Sequence, residues 1–262
     1  MLAIVDGDSI LYRATWEAKS LKEAQEKYIS VLADFIAEVW ADKAVVYIKG
    51  KGNWRFDVFN GYKGHRKPDE KYAERDQMIK ELCVWLEKEK IAIRCHGCEA
   101  DDVVRRKAVK CMERDIDYTI ISADKDLDCI EGKHLRPGPK GLKFYTVTKE
   151  EAEYFYYYQV LIGDTTDNIK SPYQLGPKKA KSILDSTARN AWKTAIENEY
   201  KARCKDEWLH ALMFTGSLIH IQRYKEDMFV WDESKGNFFD CNFKNAPSCY
   251  NYPNNLILTQ NK

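Results

Sequence analysis

The sequence predicts an α/β protein with a mostly parallel β-sheet flanked by helices, followed by a helical lobe. Over the first 150 residues, short β-branched runs alternate with longer segments of helical periodicity, which is the pattern of βαβ units. Helical patterns then dominate residues 150–222, interrupted by a Gly- and Pro-containing segment at 163–177. Residues 232–262 are rich in Asn, and this composition predicts an irregular tail.

Each element of the first part follows from a local pattern. Strands are predicted where short apolar, β-rich runs occur, at residues 2–5, 44–48, 91–95, 118–122 and 141–147. Helices are predicted where apolar side chains recur every three or four residues, at residues 21–40, 78–86 and 101–112. Ligands of such sheets bind beyond the carboxyl ends of the parallel strands, so the residues that follow each strand are the first candidates for a site.

Composition excludes several classes of protein. The chain has 262 residues, of which 44% are hydrophobic and 32% are charged, so it can bury a core and is not expected to be disordered. Its apolar runs are far shorter than the roughly 20 residues of a membrane span, and no basic segment precedes the first run. Neither a membrane helix nor a signal peptide is therefore predicted, and the eight cysteines are expected to be reduced.

Four short clusters of carboxylates are the main functional signal. Three of them follow predicted strands, and the fourth opens the helical lobe. The clusters are Asp6 and Asp8; Glu99, Asp101 and Asp102; Asp124, Asp126 and Asp128; and Asp164 and Asp167. Any one of them is also typical of a turn or a helix N-terminus. Crowded carboxylates repel one another unless hard cations such as Mg²⁺ or Mn²⁺ neutralise them, so their joint placement predicts two divalent ions serving phosphodiester displacement.

The near-neutral total charge hides two basic stretches. The formal net charge is +1, yet residues 49–75 carry eight Lys and Arg against four acids, and residues 176–205 carry eight against three. Gly176 and Pro177 predict a turn that enters a helix. The free amides of that turn, together with the lysines that follow it, would receive phosphates. Contacts of this kind hold a nucleic-acid backbone without reading its sequence.

The order of these motifs resembles the flap endonuclease superfamily, in particular its bacteriophage 5′→3′ exonucleases and the nuclease domain of bacterial DNA polymerase I. The acidic motifs that carry the resemblance are Asp6-Gly-Asp8, Glu99-Ala-Asp-Asp102, Ser122-Ala-Asp-Lys-Asp126 and Gly163-Asp-Thr-Thr-Asp-Asn168. The resemblance implies a PIN-like nuclease core over residues 1–150 and a helical, duplex-binding lobe over residues 151–231. That lobe would contain a helix–three-turn–helix element, and residues 232–262 would form the tail.

The resemblance also implies roles for individual residues. The candidate metal ligands, or acids supporting them, are Asp6, Asp8, Glu99, Asp101, Asp102, Asp124, Asp126, Asp164 and Asp167. Lys63 and Arg66 match a basic pair at the scissile phosphate, where cations stabilise the developing charge. The candidate DNA-binding residues are Arg55, Tyr62, Gly176, Lys178, Lys179 and Lys181. Gly176 and the three lysines lie in a predicted hairpin that begins at Gln174, and in the family this hairpin also holds K⁺.

The implied function is that of a metal-dependent 5′→3′ exonuclease and flap-type endonuclease acting on DNA, with RNA in RNA–DNA hybrids as a further substrate. One feature departs from the family, because Lys49 and Gly50 stand where an acid usually ends the second strand. A DNA-end or junction binder with an incomplete metal site is therefore an alternative. A PIN-type endoribonuclease is another, which the duplex-binding hairpin disfavours. We expect a monomer in the cytoplasm, the host's if the chain is of phage origin, without membrane contact.

Overall fold

A six-stranded β-sheet organises the first part of the chain. The computed structural model describes residues 1–66, 69–172, 175–232, 234, 236–237 and 246–250. The strands of this sheet are β1 (Leu2–Asp6), β2 (Lys43–Lys49), β3 (Ile93–Cys95), β4 (Tyr118–Ile121), β5 (Gly132–Gly138) and β6 (Gly141–Val147). Their order is β3-β2-β1-β4-β5-β6, with β1 to β5 parallel and β6 antiparallel. A further antiparallel pair consists of β7 (Val230–Asp232) and β8 (Gly236–Asn237).

The α-helices account for most of the remaining described chain. They are α1 (Asp8–Thr15), α2 (Leu21–Glu38), α3 (Arg55–Val58), α4 (Ala73–Lys88), α5 (Ala100–Met112), α6 (Lys149–Ile162), α7 (Pro177–Asp185), α8 (Trp192–Cys204) and α9 (Trp208–Ile219). Local signals fix several of their ends. Ser20 precedes α2 in an extended conformation, and its side chain accepts a hydrogen bond from Glu23 N. Pro177 occupies the first turn of α7, where its missing N–H costs nothing.

The chain divides into two units. Unit 1 consists of Met1–Asn53, Pro68–Ala152 and Ile221–Lys225, and unit 2 consists of Trp54–Lys67, Glu153–His220 and Glu226–Lys262. The core of unit 1 is apolar sheet and helix surface, including Val5, Ile48 and Leu82. The core of unit 2 is built from helices and includes Leu161, Tyr200 and Phe214. No helix in the described part of the chain is long and apolar enough to cross a membrane.

The predicted α/β class, the parallel sheet and the helical lobe are confirmed, whereas several local expectations were wrong. Helix α2 ends at Glu38 rather than residue 40, because Trp40 adopts a left-handed φ of 55°. Strand β3 begins two residues late, because the amides of Ile91 and Ala92 bond back to Leu86 O at the end of α4. Helix α1, helix α3 and strand β5 were not predicted. Strand β5 contains Lys, Arg, Pro and Gly, and these residues hide its strand character.

Candidate active site

The acidic site of unit 1 is built around Asp6, the last residue of β1. Strand β1 lies between β2 and β4, where the strand order reverses, so its carboxyl end is the topological switch point at which such sheets bind ligands. Gly7 continues the chain there, and a Cβ atom on it would come within 2.6 Å of Tyr28 Oη and 2.7 Å of Ile48 Cγ2. A glycine is therefore required after Asp6 to keep the turn tight.

Asp6 is a buried carboxyl group. Its side chain is 8% exposed and accepts hydrogen bonds from Ser122 Oγ at 2.7 Å and Asp8 N at 3.2 Å. Burial, and next the nearby carboxylates of Asp8 and Asp124, raise the pKa of Asp6 to about 7. A divalent cation would favour the ionised form of this group, so the donor set fits a hard metal ion.

Asp8 brings a carboxylate to the end of β2, where the sequence itself provides no acid. Its Oδ1 atom accepts a hydrogen bond from Lys49 N at 2.8 Å. The ammonium group of Lys49 lies 5.2 Å from the ring centroid of Tyr12, one helical turn after Asp8 on α1. The backbone of this strand end is thus held by an acid from a neighbouring element. The two partners are 41 residues apart in the sequence.

The acids that follow β4 are connected to Asp6 through Ser122, a residue to which sequence analysis gave no role. Besides donating to Asp6, Ser122 Oγ accepts from Asp124 N at 2.9 Å. Asp124 Oδ1 in turn accepts from Asp126 N at 2.8 Å. Ser122 therefore ties the ends of β1 and β4 together. Asp128 differs from its neighbours, because its Oδ1 accepts from Arg136 Nη2 at 2.6 Å and Tyr145 Oη at 2.7 Å.

The third acidic cluster caps the N-terminus of α5. Glu99 and Asp102 form a capping box, in which the side chain of each accepts a hydrogen bond from the backbone amide of the other. Asp102 is fully buried, and its Oδ1 also accepts from Gln222 N at 2.9 Å. These contacts give Asp102 an anchoring role for the segment around Gln222 within unit 1. Of the two roles predicted for it, support of the ligands fits this geometry and direct ligation does not.

The predicted ligands of unit 1 share one edge of the sheet without forming a finished metal cage. Asp6, Asp8 and Asp124 interact electrostatically, as the raised pKa of Asp6 records. Yet no three Asp, Glu, His or Cys side chains of the described residues are arranged as a ready metal-holding group. A bound divalent cation would offset the mutual repulsion of these carboxylates. The ligand assignments remain predictions.

Unit 2 contains the fourth acidic cluster and both predicted catalytic cations. Asp167 Oδ2 accepts from Tyr62 Oη at 2.7 Å and lies 3.5 Å from Lys63 Nζ, while Asp167 Oδ1 pairs with Arg66 Nη2. Asp164 Oδ1 accepts from Thr166 N at 2.7 Å. The structure thus brings Lys63 and Arg66 together on one carboxylate. A phosphate would compete with Asp167 for these two cations.

Two residues predicted to contact DNA are instead part of the core of unit 2. Arg55 is 2% exposed, and its guanidinium donates to Leu218 O at 2.9 Å and His220 O at 2.6 Å. Tyr62 is also 2% exposed. Neither side chain has the exposure that a phosphate contact requires. The prediction of direct DNA contact is therefore corrected for both, since they hold the residues around them in place.

The predicted duplex-binding hairpin leads into the N-terminus of α7, which is exposed and basic. Lys178, Lys179 and Lys181 are exposed on α7, and Gly176 forms its N-terminal cap with an extended backbone. Gln174, where the predicted hairpin begins, lies outside the described residues, as does Lys67 in the other basic stretch. The amides at the start of α7 and these three lysines have the arrangement that receives phosphates.

Replacing Lys178, Lys179 and Lys181 together by Ala should weaken DNA binding on every sequence. Each lost phosphate contact lowers the slope of log affinity against log salt by about 0.9, so we expect a decrease of up to about 2.7. A salt titration of duplex binding measures it. The matched control replaces three exposed lysines of unit 1, Lys22, Lys27 and Lys43. Equal slopes for the parent and the α7 variant would reduce these lysines to a solvated helix face.

Comparison with known proteins supplies the family. A model described as the 5′-3′ exonuclease, N-terminal resolvase-like domain matches residues 1–154. The thermostable DNA polymerase I of Thermus aquaticus is 27% identical over 200 residues, which covers 70% of this chain but only 23% of the polymerase. The chain thus spans about a quarter of that relative. The 5′-3′ exonuclease of Buchnera aphidicola subsp. Schizaphis graminum is 24% identical over 254 residues, covering 87% of this chain and 83% of the exonuclease.

Solved structures agree with the fold. The bacteriophage T5 flap endonuclease, in a pseudo-enzyme-product complex with DNA and metal ions, matches with a TM-score of 0.64 and 21% identity, covering 83% of this chain and 85% of that chain. The catalytic core of Rad2 with DNA substrate matches with a TM-score of 0.51 and 13% identity, covering 88% and 82%. At these identities the likeness establishes the fold. Since the family model covers more than half of its residues, this chain belongs to the 5′-3′ exonuclease family.

Proposed function

We propose that this chain is a divalent-metal-dependent nuclease that hydrolyses phosphodiester bonds in DNA, as a 5′→3′ exonuclease and a flap-type endonuclease. Membership of the 5′-3′ exonuclease family supports the reaction class. The observation that carries the proposal is the set of interacting carboxylates Asp6, Asp8 and Asp124 at the switch point of the sheet. A carboxyl group as buried and crowded as Asp6 costs stability, which a metal-binding role explains.

We assign the metal ligands among the acids of unit 1. Asp6, Asp8 and Asp124 are the primary donors, with Glu99, Asp101 and Asp126 as further ligands and Asp102 as a supporting acid. When bound, two Mg²⁺ or Mn²⁺ ions supply Lewis-acid stabilisation of the charge that builds on the phosphate oxygens. Ser122 orients Asp6 by donating to its Oδ2 atom and leaves Oδ1 turned toward Asp8 N. Asp164 and Asp167 of unit 2 remain proposed ligands from the family pattern.

The basic residues have distinct proposed roles. Lys63 and Arg66 leave Asp167 for the reacting phosphate and stabilise its transition-state charge. The start of α7 binds the backbone of the duplex, with K⁺ as the proposed additional cation of that hairpin. The protein acts as a monomer on DNA with a 5′ end or flap, in the cytoplasm, which is that of a host cell if the chain is of phage origin. RNA in an RNA–DNA hybrid is the proposed further substrate.

Gel analysis of cleavage tests this function. The substrates are end-labelled duplex, 5′-flap duplex, RNA–DNA hybrid and single-stranded RNA, each incubated with Mg²⁺ or with EDTA. The nuclease function predicts products from both DNA duplexes and from the RNA–DNA hybrid, in each case in Mg²⁺ and not in EDTA. Binding without any product would favour a DNA-end or junction binder. Cleavage of RNA alone would favour a PIN-type endoribonuclease.

One specific observation favours the binder as the second candidate function. Lys49 stands where an acid is expected at the end of β2, and a lysine there opposes a nearby cation. The next position cannot supply the acid, because a Cβ atom on Gly50 would lie 2.0 Å from Cys95 O. Asp8, which accepts from Lys49 N, is the residue placed to compensate. If Asp8 replaces the missing acid well enough to hold the metal, the chain is a nuclease. If Asp8 does not, the chain is a binder.

Lys49→Asp should lower the Mg²⁺ concentration for half-maximal cleavage. A new ligand and the loss of a nearby cation are together worth about 1–3 kcal/mol at an effective dielectric constant of about 20, which is about a five- to hundredfold change. A Mg²⁺ titration of the cleavage rate measures it, with Lys49→Ala as the control that removes only the charge. Saturation of the parent at micromolar Mg²⁺, with no shift in either variant, would mean that Asp8 already compensates. Cleavage by the variant alone would establish the binder function for the parent.

A further inference from the structure

A cluster of aromatic rings and cations lies on the surface of unit 1, beyond the acids of the candidate active site. We call Tyr12, Trp16, Tyr72 and Arg75 the α1–α4 aromatic cluster. The Arg75 guanidinium carbon lies 4.3 Å from the ring centroid of Tyr72, 5.3 Å from that of Trp16 and 5.9 Å from that of Tyr12. Trp16 is 64% exposed in spite of these contacts. The cluster therefore presents exposed aromatic rings, those of Tyr12 and Trp16, beside a guanidinium group.

Helix α1 relates this cluster to the acidic edge. Asp8, Tyr12 and Trp16 follow one another at intervals of four residues, so they lie along one face of α1. Asp8 is the first residue of the helix, and Trp16 caps its C-terminal end. At 1.5 Å per residue, Trp16 lies about 12 Å along the helix axis from Asp8. That distance is a few nucleotides of a strand that leaves the proposed reaction site. A strand running along this face would pass Tyr12 before it reached Trp16.

The charge around the cluster suits a polyanion. Lys49 Nζ lies 5.2 Å from the Tyr12 ring, and Lys71 Nζ lies 5.4 Å from the Tyr72 ring. Arg75 Nη2 lies 3.9 Å from Asp76 Oδ1, and no described residue accepts a hydrogen bond from the buried Arg75 Nε. Cation–ring contacts hold the rings in place without covering them. Exposed aromatic faces next to cations are the combination that binds single-stranded nucleic acid.

We propose that Trp16, held by Arg75, is a stacking site for a nucleobase of single-stranded DNA that extends from the proposed cleavage site. Inside a duplex the base faces are covered by neighbouring bases, whereas an unpaired base can place its face on the indole. The site recognises no sequence, since every base has an aromatic face. This inference rests on the proposed function, because the DNA is the substrate of the same site.

Equilibrium binding in EDTA tests the stacking site without cleavage. The probes are a fluorescein-labelled duplex with a 5′ thymidine flap and the same duplex without the flap. Stacking on one ring is worth about a 5- to 100-fold change in affinity. Trp16→Ala should lose that factor on the flap DNA and change little on the flapless duplex. Trp16→Phe should keep most of the affinity, because it retains an aromatic face.

The matched control is Trp40→Ala, which removes an 88% exposed tryptophan just before β2, at the amino edge of the sheet. It should bind both probes like the parent. Melting temperatures of all variants, measured alongside, separate loss of the ring from loss of the fold. Equal flap affinity for Trp16→Ala and the parent overturns the stacking site, as does an equal loss on both probes. If the stacking site is overturned but the parent cuts flap DNA in Mg²⁺, the proposed nuclease function is unaffected. A parent that neither binds nor cuts DNA overturns both proposals.

Discussion

Asp6→Asn should abolish DNA cleavage and at the same time stabilise the chain in the absence of metal. Asp6 is the most buried of the primary ligands, with Ser122 Oγ and Asp8 N already committed to its two oxygens. Removing its charge withdraws several kcal/mol of transition-state stabilisation from the metal site, or about a thousandfold in rate. The same change removes a buried charge that burial, Asp8 and Asp124 all disfavour.

The stabilisation should depend on pH with a defined sign. The pKa of Asp6 is about 7 in the folded chain, against 3.8 as its ordinary value. Because the folded state holds the proton more tightly, the contribution of protonated Asp6 to stability is complete below about pH 4 and is lost as the pH rises through about 7. At pH 8, Asp6→Asn should therefore gain up to about 4 kcal/mol over the parent in EDTA. The gain should shrink toward zero near pH 4.

Thermal melts in EDTA between pH 4 and pH 8, with cleavage assays in Mg²⁺, measure both effects. Asp34→Asn is the control, because Asp34 is exposed on α2 and its replacement should change neither the rate nor the pH profile. A variant that cuts DNA at the parental rate would remove Asp6 from the metal site. A melting difference that does not vary with pH would mean that folding does not raise the pKa of Asp6.

Lys63→Ala should lower the rate of cleavage far more than it lowers the affinity for DNA. A positioned cation acts where charge develops on the phosphate, and loss of one such group costs about 10²- to 10³-fold in rate. The ammonium group of Lys63 lies 3.5 Å from Asp167 Oδ2 and 4.9 Å from the centroid of the Tyr62 ring, and both contacts help to fix its position. Arg66 remains on Asp167 in the variant and preserves that part of the fold.

Single-turnover cleavage at saturating DNA is the appropriate measurement for Lys63. Lys178→Ala is the matched control, since it removes a lysine of the same unit that we assign to duplex binding. It should weaken binding and leave the saturated rate unchanged. The opposite pattern, with Lys63→Ala affecting affinity alone, would make Lys63 a backbone contact and leave Arg66 to act at the phosphate.

The acidic edge could be predicted from the sequence because parallel topology brings the residues after each strand to the same edge. That rule places Asp6, Asp8 and Asp124 without any knowledge of side-chain contacts. It also places the cluster of Glu99, Asp101 and Asp102 at this edge, although it does not show that Glu99 and Asp102 form a capping box. The position of a carboxylate on the sheet was thus predictable, whereas its hydrogen-bond partner was not.

Burial of charged residues was the information that the sequence lacked. Arg55 looked like a DNA contact in a basic stretch, but its guanidinium is satisfied by carbonyls 163 and 165 residues away. The Asp8 contact with Lys49 N spans 41 residues, and the Asp102 contact with Gln222 N spans 120. Such pairings depend on how distant segments pack, and no local spacing encodes them. Ser122 opens one of the acidic motifs, but its hydrogen bond to Asp6 was not predicted for the same reason.

Cleavage of a 5′-labelled flap DNA by the parent and by Asp124→Asn, in Mg²⁺ and in EDTA, tests whether the carboxylates at the switch point of the sheet hold the metal that cleavage requires. Asp124 is an exposed acid of the same edge, so its replacement should leave the fold intact and remove only a metal ligand. We expect a released product from the parent in Mg²⁺, none in EDTA, and none from Asp124→Asn at Mg²⁺ concentrations near that which saturates the parent. Full cleavage by Asp124→Asn in Mg²⁺, or cleavage by the parent in EDTA, would contradict this expectation.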